Sequence, residues 1–210
     1  MQIYFNPSFR DGQMKIVPFK NGSNFSNNLV LAEKLILLGA RPPIVSQLCQ
    51  LSRQQSIDIF KSLTGCRPKQ GMLPHDLQWV IRSTSNNIHA SLFLGILDDA
   101  RRRLSIQYSS AQVLVDVYSI YKNVASKILT EPKKISPAAQ QFTLDVNRAW
   151  FLISMLVAGN LIFTVCTCCR TRYLSTIHPD ATFSQCPICN VWKDRSGRRR
   201  WASAKSKKTN

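Results

Sequence analysis

The sequence predicts a mainly α-helical protein: a helical body containing a helix-turn-helix-like segment, followed by a small C-terminal module organised by four cysteines. Three observations carry this expectation. Apolar residues recur at helical spacing from residue 31 to about 158, a stretch at 31–65 is punctuated as three short helices, and two Cys-x-x-Cys pairs stand between 166 and 189. At 210 residues the chain is long enough for one sizeable core with a small appendage.

Residues 1–28 are rich in Asn, Ser, Gly and Pro without a steady apolar period, which predicts a weakly ordered arm. The helical domain is expected over 29–160. In it, Leu31, Leu35 and Leu38 make a helical stripe closed by Gly39, and Pro42 and Pro43 open a second helix whose inner face is Ile44, Val45 and Leu48. Ser52 with Gln55 three residues later is a capping box for a third helix, with Ile57, Phe60 and Leu63 as its buried face and Gly65 as its stop. The run Gly71 to Pro74 marks a turn. Beyond it, Trp79, Val80, Ile88, Leu92, Phe93 and Ile96 suggest helical packing through about Arg101.

A further helix is expected from Ala111 to Leu129 on Val113, Val117, Ile120, Tyr121 and Val124, then a basic connector at Pro132 to Pro137 and a last long helix from Phe142 to Ala158. Ala149 to Val165 carries no charge, but Gly159 and Asn160 read as a helix stop, so the segment divides into a buried helix and a short strand, Leu161 to Val165, and not a membrane span. No signal-peptide pattern is visible in the first residues, which predicts a cytoplasmic address where thiols stay reduced.

Of seven cysteines, five lie between residues 166 and 189. Cys166-x-x-Cys169 and Cys186-x-x-Cys189 form two hooks, each able to present two thiolates to one edge of a tetrahedral ion. Four sulfurs leave no position for water, so the spacing points to one structural Zn2+ in a module spanning 161–192. Cys168 is expected to be a bystander, and His178 a less suitable ligand than the four thiols. Cys49 and Cys66 read as small packing residues.

The formal net charge is +17, from 28 Lys and Arg against 11 Asp and Glu, which favours a polyanionic partner, nucleic acid first. Residues 193–210 form a flexible basic tail that includes Arg198, Arg199 and Arg200. On the outer face of the third helix, Gln54, Gln55 and Lys61 are placed to meet base edges or phosphates, and Arg53 in the first turn to bind a phosphate. Asp58 on that face works against close approach to DNA. His89 reads as a packed imidazole, and no acid/base pair, nucleophile constellation or phosphate-cradling loop suggests an enzyme.

Together, Leu38-Gly39-Ala40-Arg41 leading to Leu51-Ser52-Arg53, then Gly71-Met72-Leu73-Pro74, Trp79, Asn87-Ile88-His89-Ala90-Ser91-Leu92-Phe93, Arg148-Ala149-Trp150 and the four-cysteine end resemble the FlhC family, over roughly 30–190. The resemblance implies a largely helical fold with zinc on Cys166, Cys169, Cys186 and Cys189. It further implies a subunit of a transcriptional activator that acts in a hetero-oligomer with a small helical FlhD-like partner, binds double-stranded promoter DNA and recruits RNA polymerase at flagellar class 2-type promoters. Relatives of the family also activate conjugative-transfer genes on plasmids and integrative elements, and the divergent 98–137 segment leaves that regulon open. On the same charge and basic tail, an RNA-binding or ribosome-associated zinc protein is the alternative of another class, and a membrane-tethered protein, which depends on Ala149 to Val165, is disfavoured.

Overall fold

In the computed structural model, residues 24–103, 110–129, 144–177 and 186–191 are described. Among them are eight helices and one two-stranded sheet. Residues 1–23, the Pro132–Pro137 connector, His178 and the 193–210 tail with Arg198, Arg199 and Arg200 lie outside the described residues.

The first three helices are α1 (Asn24–Leu37), α2 (Pro42–Cys49) and α3 (Arg53–Thr64), packed against one another. Helix α1 starts earlier than expected and takes in the last residues assigned to the arm. Pro42 opens α2, as the fixed φ of proline allows in a first turn. Between α2 and α3 the chain turns on Gln50, a non-glycine residue at φ 55° whose amide closes the end of α2, and Ser46 donates from its hydroxyl to the Leu51 carbonyl at 2.7 Å. The Ser52–Gln55 capping box forms in full, each side chain accepting from the other residue's amide, and Gly65 at φ 66° closes α3.

The buried side of α3 differs from the expected one. Ser56 is fully buried and Ile59 and Phe60 pack on the core, whereas Ile57 is only half-buried and Leu63 is 38% exposed. Residues 56, 59 and 60 form the inward stripe, and Leu63 at its end is exposed. A polar residue begins it, and burial is tolerable because the Ser56 hydroxyl donates to the Ser52 carbonyl at 3.1 Å.

The next stretch is two helices, not one: α4 (Gln78–Arg82) and α5 (Thr84–Arg103). Ser83 separates them in an extended conformation, and its hydroxyl accepts from the Asn86 amide at 3.3 Å, as an N-capping residue does. Helix α6 (Ser110–Leu129) lays Leu114, Val117, Tyr118, Tyr121 and Ala125 into the core. Ile120, expected inside, is 48% exposed. Helix α7 (Val146–Val157) starts at Asp145, whose carboxylate accepts from the amides of Asn147 and Arg148, later than the expected Phe142. Gly159 at φ 75° ends it as expected.

The strands β1 (Leu161–Val165) and β2 (Arg172–Thr176) pair antiparallel with Phe163 opposite Leu174. A one-turn helix, α8 (Pro187–Val191), carries the second cysteine pair. Leu161 and Leu174 belong to the same core as α1, α5, α6 and α7, so the hairpin is joined to the helical body by shared packing. No helix among the described residues is long and apolar enough to cross a membrane.

Candidate metal centre and basic face

The β1–β2 connection is a knuckle. The Cys166 amide donates to the Thr171 carbonyl and the Arg170 amide to the Cys166 carbonyl, each at 3.0 Å, while Arg170 takes a left-handed φ of 63° to bring the chain round. Helix α8 supplies the facing hook, closed by the Asn190 amide on the Cys186 carbonyl at 3.0 Å. The four sulfurs of Cys166, Cys169, Cys186 and Cys189 consequently lie within 4.8 Å of one another. Cys166 to Cys189 is 3.7 Å and Cys169 to Cys186 is 3.5 Å.

Those separations fit a shared ion. A disulfide needs sulfurs about 2 Å apart, whereas tetrahedral zinc with Zn–S bonds of about 2.3 Å sets its sulfurs about 3.8 Å apart. The local electrostatics agree. The Cys166 thiol is held below its ordinary range chiefly by the Cys169 amide donating to it, and the Thr171 hydroxyl and amide bring Cys169 down to about 6. Burial raises Cys186 and Cys189. Four thiolates cannot all persist in so small a space without a cation, and a divalent ion is what would let the two raised groups ionise as well. Cys186 and Cys189 are buried with Tyr173, whose side chain forms one wall of this cluster. Cys168 is half-buried and outside the four-sulfur set.

Two other cysteines part company. Cys49 is buried in the helical core, which pushes its thiol up to about 12, as a packing residue would show. Cys66 is exposed, contrary to the expectation of packing, because it lies past the Gly65 stop where α3 has no further neighbour. His89 is a packed imidazole, 2.8 Å from the Tyr121 hydroxyl.

The outer face of α3 is exposed at Arg53, Gln54, Gln55, Asp58 and Lys61. Two of its expected contact residues are already engaged: Gln55 accepts from the Ser52 amide at 2.8 Å in the capping box, and Gln54 donates to Asp58 at 2.8 Å. Arg53 and Lys61 are in no ion pair among the described residues. Arg198, Arg199 and Arg200 of the tail lie outside the described residues.

Several side chains that hold this architecture escaped the sequence reading. On α5, Asn87 donates to the Leu174 carbonyl at 2.9 Å and Ser91 accepts from the Leu174 amide at 3.0 Å, so β2 is gripped at both backbone groups of one residue. Asp98 of α5 accepts from Arg172 at 2.6 Å, and Asn190 of α8 donates to Thr84 at 2.8 Å. The metal module is thus tied to one helix along its length. Strand β2 was missed too, although Tyr173 and Thr176 favour extended chain.

A basic helical body carries a closed four-thiol centre locked onto α5, an arrangement in which a bound metal would staple structure. The chain belongs to the Flagellar transcriptional activator (FlhC) family, whose profile matches residues 20–203. It is similar to the Flagellar transcriptional regulator FlhC of Proteus mirabilis, 30% identical over 78% of this chain and 79% of that one. The FlhC proteins of Verminephrobacter eiseniae (28% identical, 88% and 92%) and Gallionella capsiferriformans (27% identical, 79% and 84%) match along a comparable span. The segments that carried the resemblance meet in space. Arg148 lies 4.7 Å over the Trp79 ring, and Arg41 donates to carbonyls in the Gly71–Met72 turn.

Proposed function

We propose that this chain is the DNA-binding subunit of a transcriptional activator, holding one structural zinc on Cys166, Cys169, Cys186 and Cys189. It acts with a small FlhD-like partner in a hetero-oligomer that recruits RNA polymerase at flagellar class 2-type promoters. It is not an enzyme; its zinc stabilises structure because four sulfurs leave no open coordination position. The observation that carries the reading is the α2–turn–α3 unit, whose outer face is open and bears Arg53 and Lys61, set in a chain of net charge +17 within a family of flagellar transcriptional activators. A capped helix after a tight turn is the geometry that places side chains in a major groove, while a surplus of cations supplies the sequence-independent part of binding.

The test is to purify the chain from its native cell with whatever accompanies it and sequence the bound DNA. Recovery of promoters of flagellar genes with a small helical partner supports the reading in full. Recovery of conjugative-transfer promoters would move the regulon, and preferential recovery of structured RNA would overturn it.

A further inference from the structure

The guanidinium of Arg41 does not meet a carboxylate. It donates to three backbone carbonyls of the loop between α3 and α4: Met72 at 2.8 Å, Lys69 at 3.0 Å and Gly71 at 2.7 Å. Gly71, at φ 115°, takes a backbone conformation open to glycine and strained for other residues, which lets neighbouring carbonyls converge on one cation. Arg41 is itself anchored, since its amide donates to the Asn147 side chain at 2.9 Å and Asn147 donates on to the Gly39 carbonyl.

Planarity of the peptide bond then fixes the other side of the loop. In a trans peptide the carbonyl of one residue and the N–H of the next point in opposite directions. Carbonyls of Lys69, Gly71 and Met72 turned in toward Arg41 therefore turn the N–H groups of Gln70, Met72 and Leu73 outward. Among the described residues none of these three donors has a hydrogen-bond partner. The flanking cations Arg67 and Lys69 are exposed and in no ion pair among the described residues, and no acidic residue occurs between Asp58 and Asp76. Outward amides beside unpaired cations are the donor set that grips a phosphate diester.

We propose that Arg67–Leu73 is a phosphate-contacting loop for duplex DNA, with Arg67 and Lys69 as cationic contacts, the outward amides as neutral donors and Arg41 as the positioning residue. This rests on the DNA-binding reading above, and the position suits it. The loop leaves α3 directly after its last turn, beside the exposed face bearing Lys61, so a duplex engaged by that helix runs its backbone past the loop.

The test uses the full chain with its native partner subunit, measuring anisotropy on a short mixed-sequence duplex between about 50 and 200 mM salt. Arg67→Ala with Lys69→Ala should weaken binding about tenfold and lower the slope of log K against log salt by about 1.8, or 0.9 for each phosphate released. Lys122→Ala, which removes an exposed cation of α6, should leave the slope unchanged. Arg41→Lys keeps the charge but cannot span three carbonyls, and it should lower the slope by about 1. A merely structural role for Arg41 would change stability and leave the slope alone. If wild type binds duplex and the Arg67/Lys69 variant has an unaltered slope, or loses the partner subunit instead, the loop assignment is wrong. If wild type shows no affinity for duplex DNA at any salt, the DNA-binding reading fails with it.

Discussion

Asn87 and Leu174, 87 positions apart, are joined by a hydrogen bond of 2.9 Å from the side-chain amide to the backbone carbonyl, in a buried setting. Ser91, one turn along the same helix, completes the grip by accepting from the Leu174 amide, and it donates to Asn87 in turn. Replacing Asn87 by Ala would leave that carbonyl buried and unpaired. We expect a loss of about 1–3 kcal/mol, measured by urea unfolding of the metal-loaded protein, with the β1–β2 amides exchanging faster than those of α1 and α2.

Asp98 makes a second tie between the same helix and strand. Partial burial acts to raise its pKa, but the hydrogen bonds from Arg172 and Arg102 and their charges outweigh it, so the carboxyl sits below its usual range. A carboxylate depressed in the folded state contributes stability that is present above its unfolded pKa and lost as pH falls through the folded one. Asp98→Asn should therefore cost about 0.5–1 kcal/mol at neutral pH. The gap from wild type should close as the pH is lowered below about 4. An unchanging gap across an acid titration of stability would show that the pair contributes no charge term.

The buried His89–Tyr121 contact predicts behaviour in a different window. The Tyr121 hydroxyl accepts from the Leu144 amide at 2.9 Å and lies 2.8 Å from His89 Nδ1, which suits a neutral imidazole, and burial lowers the pKa of His89. The unfolded chain then takes up the proton first. Stability should fall as pH drops below about 6.5, and His89→Gln should remove that slope. Matching slopes in the two proteins would place the acid sensitivity elsewhere.

Cys186 tests the metal centre by subtraction. Cys186→Ser removes one of four sulfurs that lie within 4.8 Å of one another. Because a metal's binding energy is also folding energy, the variant should lose the ion and unfold the knuckle, and most α-helical circular dichroism should remain. The α1–α3 unit has its own packing and caps. Full metal content in the variant, measured by atomic emission, would exclude Cys186 as a ligand.

How legible this was in the sequence depends on how local each cause is. The capping box at Ser52–Gln55, the stops at Gly65 and Gly159, and the two cysteine hooks are written in residues a few positions apart, and all were readable. Ser56 hid the buried stripe of α3 because a serine satisfied by its own helix looks like a surface residue. The break at Ser83 was masked by the absence of Gly or Pro, although Ser83 itself was the capping signal. Ile120 fooled the periodicity because burial on α6 is decided by Leu114, Tyr118 and Tyr121 on the opposite side. Arg41, Asn87 and Asp98 act on partners far along the chain, and no local pattern announces such contacts.

One measurement bears on the whole account: zinc per chain and duplex affinity, followed on the same sample while a chelator strips the metal. The prediction is one equivalent of zinc, with DNA binding and protection of the β1–β2 hairpin lost together as it leaves and regained when it is restored. A polypeptide that stays folded at Cys166–Val191 and still binds duplex with no metal bound would contradict it.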